Sequence, residues 1–178
     1  MHVSVSFLAS FSTFLLLLVH PCAWTLSLGV TAVVQAVVTK IAKRLLAQKR
    51  PDGAPFADPG MPSSHASMLF FLAAFVSAHQ DSLLLSLSLL ATAAVLSVLR
   101  VRAGYHTYAQ IAAGAALGLA GAAVASSVTD AYVQLDDVIA ANETAYRIVA
   151  TAVTAVAYTQ KAILKRIAGT VAGKPRAA

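Results

Sequence analysis

Five side chains stand out from a chain that is otherwise close to membrane hydrocarbon: Lys43, Arg50, His65, Arg100 and His106. They fall in three clusters. Lys43 is followed, after six residues, by Arg50-Pro51; Pro62-Ser63-Ser64-His65 forms the second cluster; Arg100, five residues, His106, three residues and Gln110 form the third. Only 11% of the residues are charged, and cations or imidazoles at the ends of apolar runs are costly unless they hold a ligand. Three cations and two histidines with no carboxylate pair among them suit a phosphate group held without metal.

Each cluster has a chemical reading and a plainer one. Pro62 and Ser63 are typical of a helix start. The amides of Ser63, Ser64 and His65 are then expected to point out of the helix N-terminus and, with the helix dipole, to form an anion site. The Ser63 hydroxyl adds a donor, and His65 at that rim can protonate a leaving oxygen. His106 and Gln110 are one helical turn apart on one face. Gln110 Oε1 can accept from one imidazole nitrogen and leave the other free to attack phosphorus. Arg100 offers a planar fork of donors suited to phosphate. Lys43 and Arg50, seven residues apart, are expected to project the same way from one helix. Taken singly, the same residues read as a capped helix, an interfacial histidine and basic side chains snorkelling at a helix end.

The elements that must position them are membrane helices. The 178 residues are 58% hydrophobic with only 7 acidic side chains, and the mean hydropathy is +0.75. Soluble domains carry about a quarter charged residues, so a polytopic membrane protein is expected. The net charge of +6 flanks apolar runs instead of forming a polar face, which argues for membrane flanks and against nucleic acid. Cys22 is the only cysteine, which excludes an internal disulfide and cysteine-rich metal sites. Val3 to Val19 reads as a retained helix and not a signal peptide, since it lacks a basic start and Pro21 is misplaced for cleavage.

Apolar runs at 3–19, 22–39, 62–79, 83–99, 106–126 and 147–164 each approach the ~17–25 residues that cross a bilayer. The expected fold is all-α, a single bundle over 1–178 with about six transmembrane helices. Pro21 breaks the first run from the second, and residues 51–61 are rich in turn formers. Counting crossings brings Lys43, Arg50, His65, Arg100 and His106 to one membrane face. Twelve of the thirteen basic residues fall on that face: Lys40, Lys43, Arg44, Lys49, Arg50, Arg100, Arg102, Lys161, Lys165, Arg166, Lys174 and Arg176. By the positive-inside rule it is cytosolic, or stromal in a plastid. Gly114, Gly118 and Ala122 form a small-residue stripe for helix packing. His2, His20 and His79 have no partners at useful spacing. Asp136, Asp137 and Glu143 match no metal-ligand spacing and read as a solvated loop.

Together the three clusters resemble the type 2 phosphatidic acid phosphatase superfamily of membrane lipid phosphatases, related to vanadium haloperoxidases. The family pattern is Lys-x6-Arg-Pro, then Pro-Ser-Gly-His, then Ser-Arg-x5-His-x3-Asp. The chain matches at Lys43, Arg50, Pro51, Pro62, Ser63, His65, Arg100 and His106, over a core of about 22–125. It departs at Ser64 for glycine, Leu99 for serine and Gln110 for aspartate. Gln110 can orient His106 but cannot stabilise its imidazolium by charge. Gln110, with Gly60-Met61-Pro62-Ser63-Ser64-His65-Ala66 and His106-Thr107, is similar to a branch containing dolichyl diphosphatases and plastid-type lipid phosphate phosphatases. Asp58-Pro59-Gly60 and the short chain look more like the plastid type.

The resemblance implies a six-helix core and a two-step hydrolysis needing no cofactor or metal. Lys43, Arg50, Arg100, Ser63 and the Ser64 amide would hold phosphate oxygens, His106 would form a phosphohistidine, and His65 would protonate the departing lipid alcohol. The substrate would be a lipid phosphate within a plastid or endoplasmic reticulum membrane. A phosphatidate-type monophosphate is the first expectation, a dolichyl or polyprenyl diphosphate the second, and a membrane protein with a decayed site the third.

Overall fold

The computed structural model describes residues 22–55, 57–132 and 136–171, without the side chains of 131, 132, 157, 158 and 160–171. Six helices occupy it: α1 (Ala23–Leu46), α2 (Ser64–Ala78), α3 (Leu83–Arg102), α4 (Tyr108–Tyr132), α5 (Asp136–Ala141) and α6 (Glu143–Val171). The protein is all-α, and each apolar run from 22 onward contains a helix. The run 3–19, the break at Pro21 and the residues His2 and His20 lie outside the described residues. So do the side chains of Lys161, Lys165, Arg166, Lys174 and Arg176.

Local sequence sets the helix ends. Ser63 caps α2, its hydroxyl accepting from the Ala66 amide at 3.5 Å, and Ser82 does the same for α3 with Leu85 at 3.3 Å. At the far end of α1, Ala47 takes a left-handed conformation (φ 43°) and its amide donates to Lys43 O at 3.0 Å. This stops the helix after Leu46. Lys43 is therefore on the last turn of α1 and Arg50 is beyond it, so the expectation that both project from one helix is corrected. The left-handed residue turns the chain before Arg50 is reached.

Among the described residues, α1, α3 and Tyr108–Asp130 of α4 are long and apolar enough to cross a bilayer. Helix α2 is apolar but has only 15 residues. It is the central helix, packed by α1, α3 and α4. Its Ala66, Ser67, Phe71, Ala73 and Phe75 are buried, and Phe71 and Phe75 join Leu28, Ala122 and Ala125 in one core. Helix α3 has the opposite character. It buries only Ala93 and Ser97 and exposes Leu83, Leu84, Leu87 and Val95, a surface suited to lipid and ill suited to water.

Helices α2 and α4 approach so closely that side chains are excluded between them. A Cβ on Gly114 would stand 2.5 Å from Ser63 O, and one on Gly118 would clash with Ser67 O. In a bilayer, where helix association gains little from the hydrophobic effect, such close backbone packing is the main attraction. Polar side chains reinforce it. Gln35 Nε2 of α1 donates to Ser67 Oγ of α2 at 2.8 Å and to Leu117 O of α4 at 3.1 Å, and Thr39 bonds Ser67 Oγ at 2.8 Å.

The bundle end formed by the start of α1 is closed by polar contacts. The Ala23 amide donates to Asp136 Oδ1 at 2.6 Å, Thr25 Oγ1 meets Tyr146 OH at 3.0 Å, and Ser27 bonds Thr129. Glu143 pairs with Arg147. Asp136 is thus a helix cap and Glu143 an ion-pair partner. His79, its ring tilted against Phe75 at 4.5 Å between centroids, bonds that residue's carbonyl through Nδ1 at 2.8 Å.

Gly118→Leu should force α2 and α4 apart. The overpacking costs on the order of 3 kcal/mol, read as a lowered melting temperature of the detergent-solubilised protein. An unchanged melting curve would contradict the close approach.

Candidate active site

The end of α1, the start of α2, the end of α3 and the start of α4 meet at the other end of the bundle, with loop residues 47–55 and 57–63 folded over them. Helix α2 is held there by one backbone bond from outside itself, Ser63 N–H to Gln110 O at 2.9 Å. That bond places the helix start beside the first turn of α4. It also corrects one expectation: the Ser63 amide is occupied, so the outward-facing amides of α2 begin at Ser64. Ser63 is fully buried, and its hydroxyl, which accepts from Ala66, keeps its own proton to donate.

His106 lies in the turn between α3 and α4, only 2% exposed. Its Nδ1 is 3.1 Å from Gln110 Oε1, and its Nε2 is 3.1 Å from Arg50 NH1. A guanidinium can only donate. Nε2 therefore carries the lone pair and Nδ1 the proton, a tautomer assigned by the network. The Gln110 amide has its orientation fixed as well, because its Nε2 donates to Lys49 O at 2.8 Å and to Gln48 Oε1 at 3.3 Å. Its Oε1 also receives the Thr107 amide at 3.3 Å. A carboxylate at this position would have no donor for the Lys49 carbonyl, which gives the departure from aspartate a physical reason.

Gly60 makes room for Gln110. A Cβ there would fall 2.5 Å from Gln110 Nε2, and the Gly60 amide donates to Gln48 O at 2.7 Å. Burial pushes the His106 pKa down; the bond from Gln110 works the other way, and Arg50, Lys43 and Arg100 add to the decrease, leaving it at about 4. The imidazole is thus neutral, with an available Nε2 lone pair, at any pH well above 4.

The cations converge on this histidine. Arg50 NH1 also donates to Tyr105 O at 2.9 Å. Arg100 lies with its guanidinium 4.3 Å over the Tyr105 ring, and its buried Nε has no hydrogen-bond partner among the described residues. His65, the second residue of α2, is close enough to Arg100, His106, Lys43 and Arg50 for their charges to act on it. The structure therefore brings Lys43, Arg50, Ser63, Ser64, His65, Arg100, His106 and Gln110 to one end of the bundle.

Sequence reasoning missed Asp58. Its Oδ2 is 2.9 Å from Lys43 Nζ, and its two carboxylate oxygens each lie 3.0 Å from Arg50 NH2. Burial works to raise its pKa, but hydrogen bonds and charge from Lys43 and Arg50 outweigh this and bring it below the ordinary value. It was findable as a scarce acidic residue in a turn-rich loop joining two basic clusters. Tyr105, beside His106 and five residues after Arg100, was the other legible signal. Among the described residues no three His, Cys, Asp or Glu side chains form a metal-ligand set.

The model of the PAP2 superfamily matches residues 24–133, from the start of α1 to the end of α4. The chain belongs to the PAP2 superfamily. It is 36% identical over 95 residues to lipid phosphate phosphatase epsilon 2, chloroplastic, of Arabidopsis thaliana, covering 49% of this chain and 33% of that protein. It is 35% identical over 91 residues to the epsilon 1 protein of the same plant, covering 47% of this chain and 33% of that one. The matched stretch thus spans about a third of the length of each relative. No solved structure gives a significant match.

Replacing Gln110 tests the orienting network of this PAP2 site. Gln110→Met keeps the length but strands the His106 Nδ1 proton and the Lys49 carbonyl in a buried position, at a cost of about 1–3 kcal/mol. Thermal melting should show this loss. A variant as stable as the parent would mean that water replaces Gln110.

Proposed function

We propose that this protein is an integral-membrane lipid phosphate phosphatase that hydrolyses phosphatidate, or a related lipid monophosphate, to diacylglycerol and phosphate. The observation that carries this reading is the His106 Nε2 lone pair, fixed by Gln110 and facing Arg50. The lipid phosphate phosphatase names of the two plant relatives support it.

Substrate phosphate would be held by Lys43, Arg50, Arg100, the Ser63 hydroxyl and the Ser64 amide. Arg50 NH1 then transfers its hydrogen bond from Nε2 to a phosphate oxygen, which frees the lone pair. His106 Nε2 attacks phosphorus, and the bond from phosphorus to the lipid oxygen breaks as His65 protonates that oxygen. A bound dianion favours the imidazolium form that His65 needs for this step. Water next attacks the phosphohistidine, giving its proton to His65, and phosphate departs. The cations neutralise the charge that grows on the equatorial oxygens. The lipid tail stays in the bilayer beside the leucine-rich helices while its head group reaches the bundle end.

The membrane is proposed to be that of a plastid, with the catalytic face stromal. The support is the cluster of Lys40, Lys43, Arg44, Lys49, Arg50, Arg100 and Arg102 near that end and the positive-inside rule.

Purified protein given phosphatidate, lysophosphatidate and polyprenyl diphosphate in EDTA should release phosphate fastest from the monophosphates, with inhibition by vanadate. His106→Ala should abolish release, and His65→Ala should slow it by at least ~10²-fold. Near-normal turnover by His106→Ala would reject the phosphatase reading, and preference for the diphosphate would move the protein to the polyprenyl class.

Sidedness is tested with Asp52→Cys in a Cys22→Ser background. A membrane-impermeant maleimide should label it from the stromal or cytosolic side. Labelling only from the lumenal side would reverse the assignment.

A further inference from the structure

Asp58 occupies the place that a substrate phosphate would have to take. Lys43 and Arg50 meet its carboxylate through three contacts of 2.9–3.0 Å, a geometry that presents two anionic oxygens to two cations as a phosphate would. The same cations also bind the loop by its main chain, Lys43 Nζ to Pro59 O at 2.8 Å and Arg50 Nε to Asp58 O at 3.1 Å. The backbone is therefore held independently of the carboxylate. The Asp58 side chain is 53% exposed, whereas those of Lys43 and Arg50 are 9% exposed. Rotation of one side chain can carry the carboxylate into water and leave the loop and both cations in place.

The exchange sets a threshold: displacing Asp58 lowers the apparent affinity of every anion by one common factor, so the anion with the strongest intrinsic hold on the cations still binds. With Asp58 in place, one of the two positive charges of Lys43 and Arg50 is already neutralised, and an ionised carboxylate is a strong partner for both. An incoming monoanion offers no more charge than the group it must displace. A terminal phosphate dianion offers twice the charge and three free oxygens, enough to hold Lys43 and Arg50 and to reach Arg100, whose Nε is buried without a partner among the described residues. A phosphodiester has one charge and two free oxygens. We propose that Asp58 is an internal anion that competes for the phosphate seat and sets the affinity an incoming anion must exceed, a threshold that terminal phosphate dianions pass more readily than phosphodiesters. This rests on the phosphatase reading for the identity of the seat.

The test uses the full chain with Asp58→Asn, which keeps the shape, and Asp58→Ala, with binding of inorganic phosphate and of dimethyl phosphate measured by calorimetry. Phosphate should bind about 10-fold more tightly to both variants, the scale of a lost charged hydrogen bond. Dimethyl phosphate, the weaker ligand throughout, should gain by the same factor. In the parent protein, phosphate should also move the carboxyl carbon resonance of Asp58 toward that of a solvated carboxylate, a measurement that needs no variant. Equal or weaker phosphate binding by the variants, or an immobile Asp58 resonance at saturation, would overturn the proposal. If the parent still hydrolyses lipid phosphates, the phosphatase reading survives that result. Tighter binding by the variants with no turnover in the parent would instead support Asp58 and reject the phosphatase. A parent that neither binds phosphate nor turns over would reject both.

Discussion

The close approach of α2 and α4 is the constraint on which the rest depends. Gly114 and Gly118 let the two backbones come near enough for the Ser63 amide to reach the Gln110 carbonyl. That bond joins the first turn of the helix bearing His65 to the first turn of the helix that orients His106. Were the helices a side chain further apart, the two histidines would not meet at one end of the bundle. Attraction between lipid-embedded helices comes from such packing and from interhelical hydrogen bonds, so the Gln35, Thr39 and Ser67 network serves the site although it lies outside it.

Charge imposes the second constraint. Lys43 and Arg50 are largely removed from solvent, and uncompensated cations in that position would be strongly destabilising. Their compensation comes from Asp58 and from loop carbonyls. His106 meets the same constraint differently. Burial among cations keeps it neutral, which preserves the lone pair a nucleophile requires. Gln110 fits this environment, since it fixes the ring without adding a charge and still donates to Lys49 O.

The bundle also shows a division of labour. Helix α2 is short and nearly surrounded, so its side chains are chosen by packing. Helix α3 is peripheral, with leucines outward and small Ala93 and Ser97 inward, so lipid selects most of its residues. The contacts among Thr25, Ser27, Thr129, Asp136 and Tyr146 close the end away from His65 and His106. Each region thus answers to a different solvent: protein, hydrocarbon or water.

Much of this was determined by sequence alone. Helical class followed from run lengths, and the meeting of three distant clusters at one bundle end followed from the alternation of crossings. The Gln110 to His106 Nδ1 contact followed from one-turn spacing. These are local or periodic properties, which a helix fixes without knowing its neighbours. Tertiary structure decided the rest. Ala47 turns the chain, so Arg50 reaches His106 from the loop and not along α1. Ser63 gives its amide to α4, and Gly60 is required by the width of Gln110. Asp58 became visible only when the loop returned over the cations, because ion pairing across 8 and 15 residues of irregular chain has no period to read. The sequence named the residues that meet at this end of the bundle, while the loop that covers them depended on a three-dimensional path.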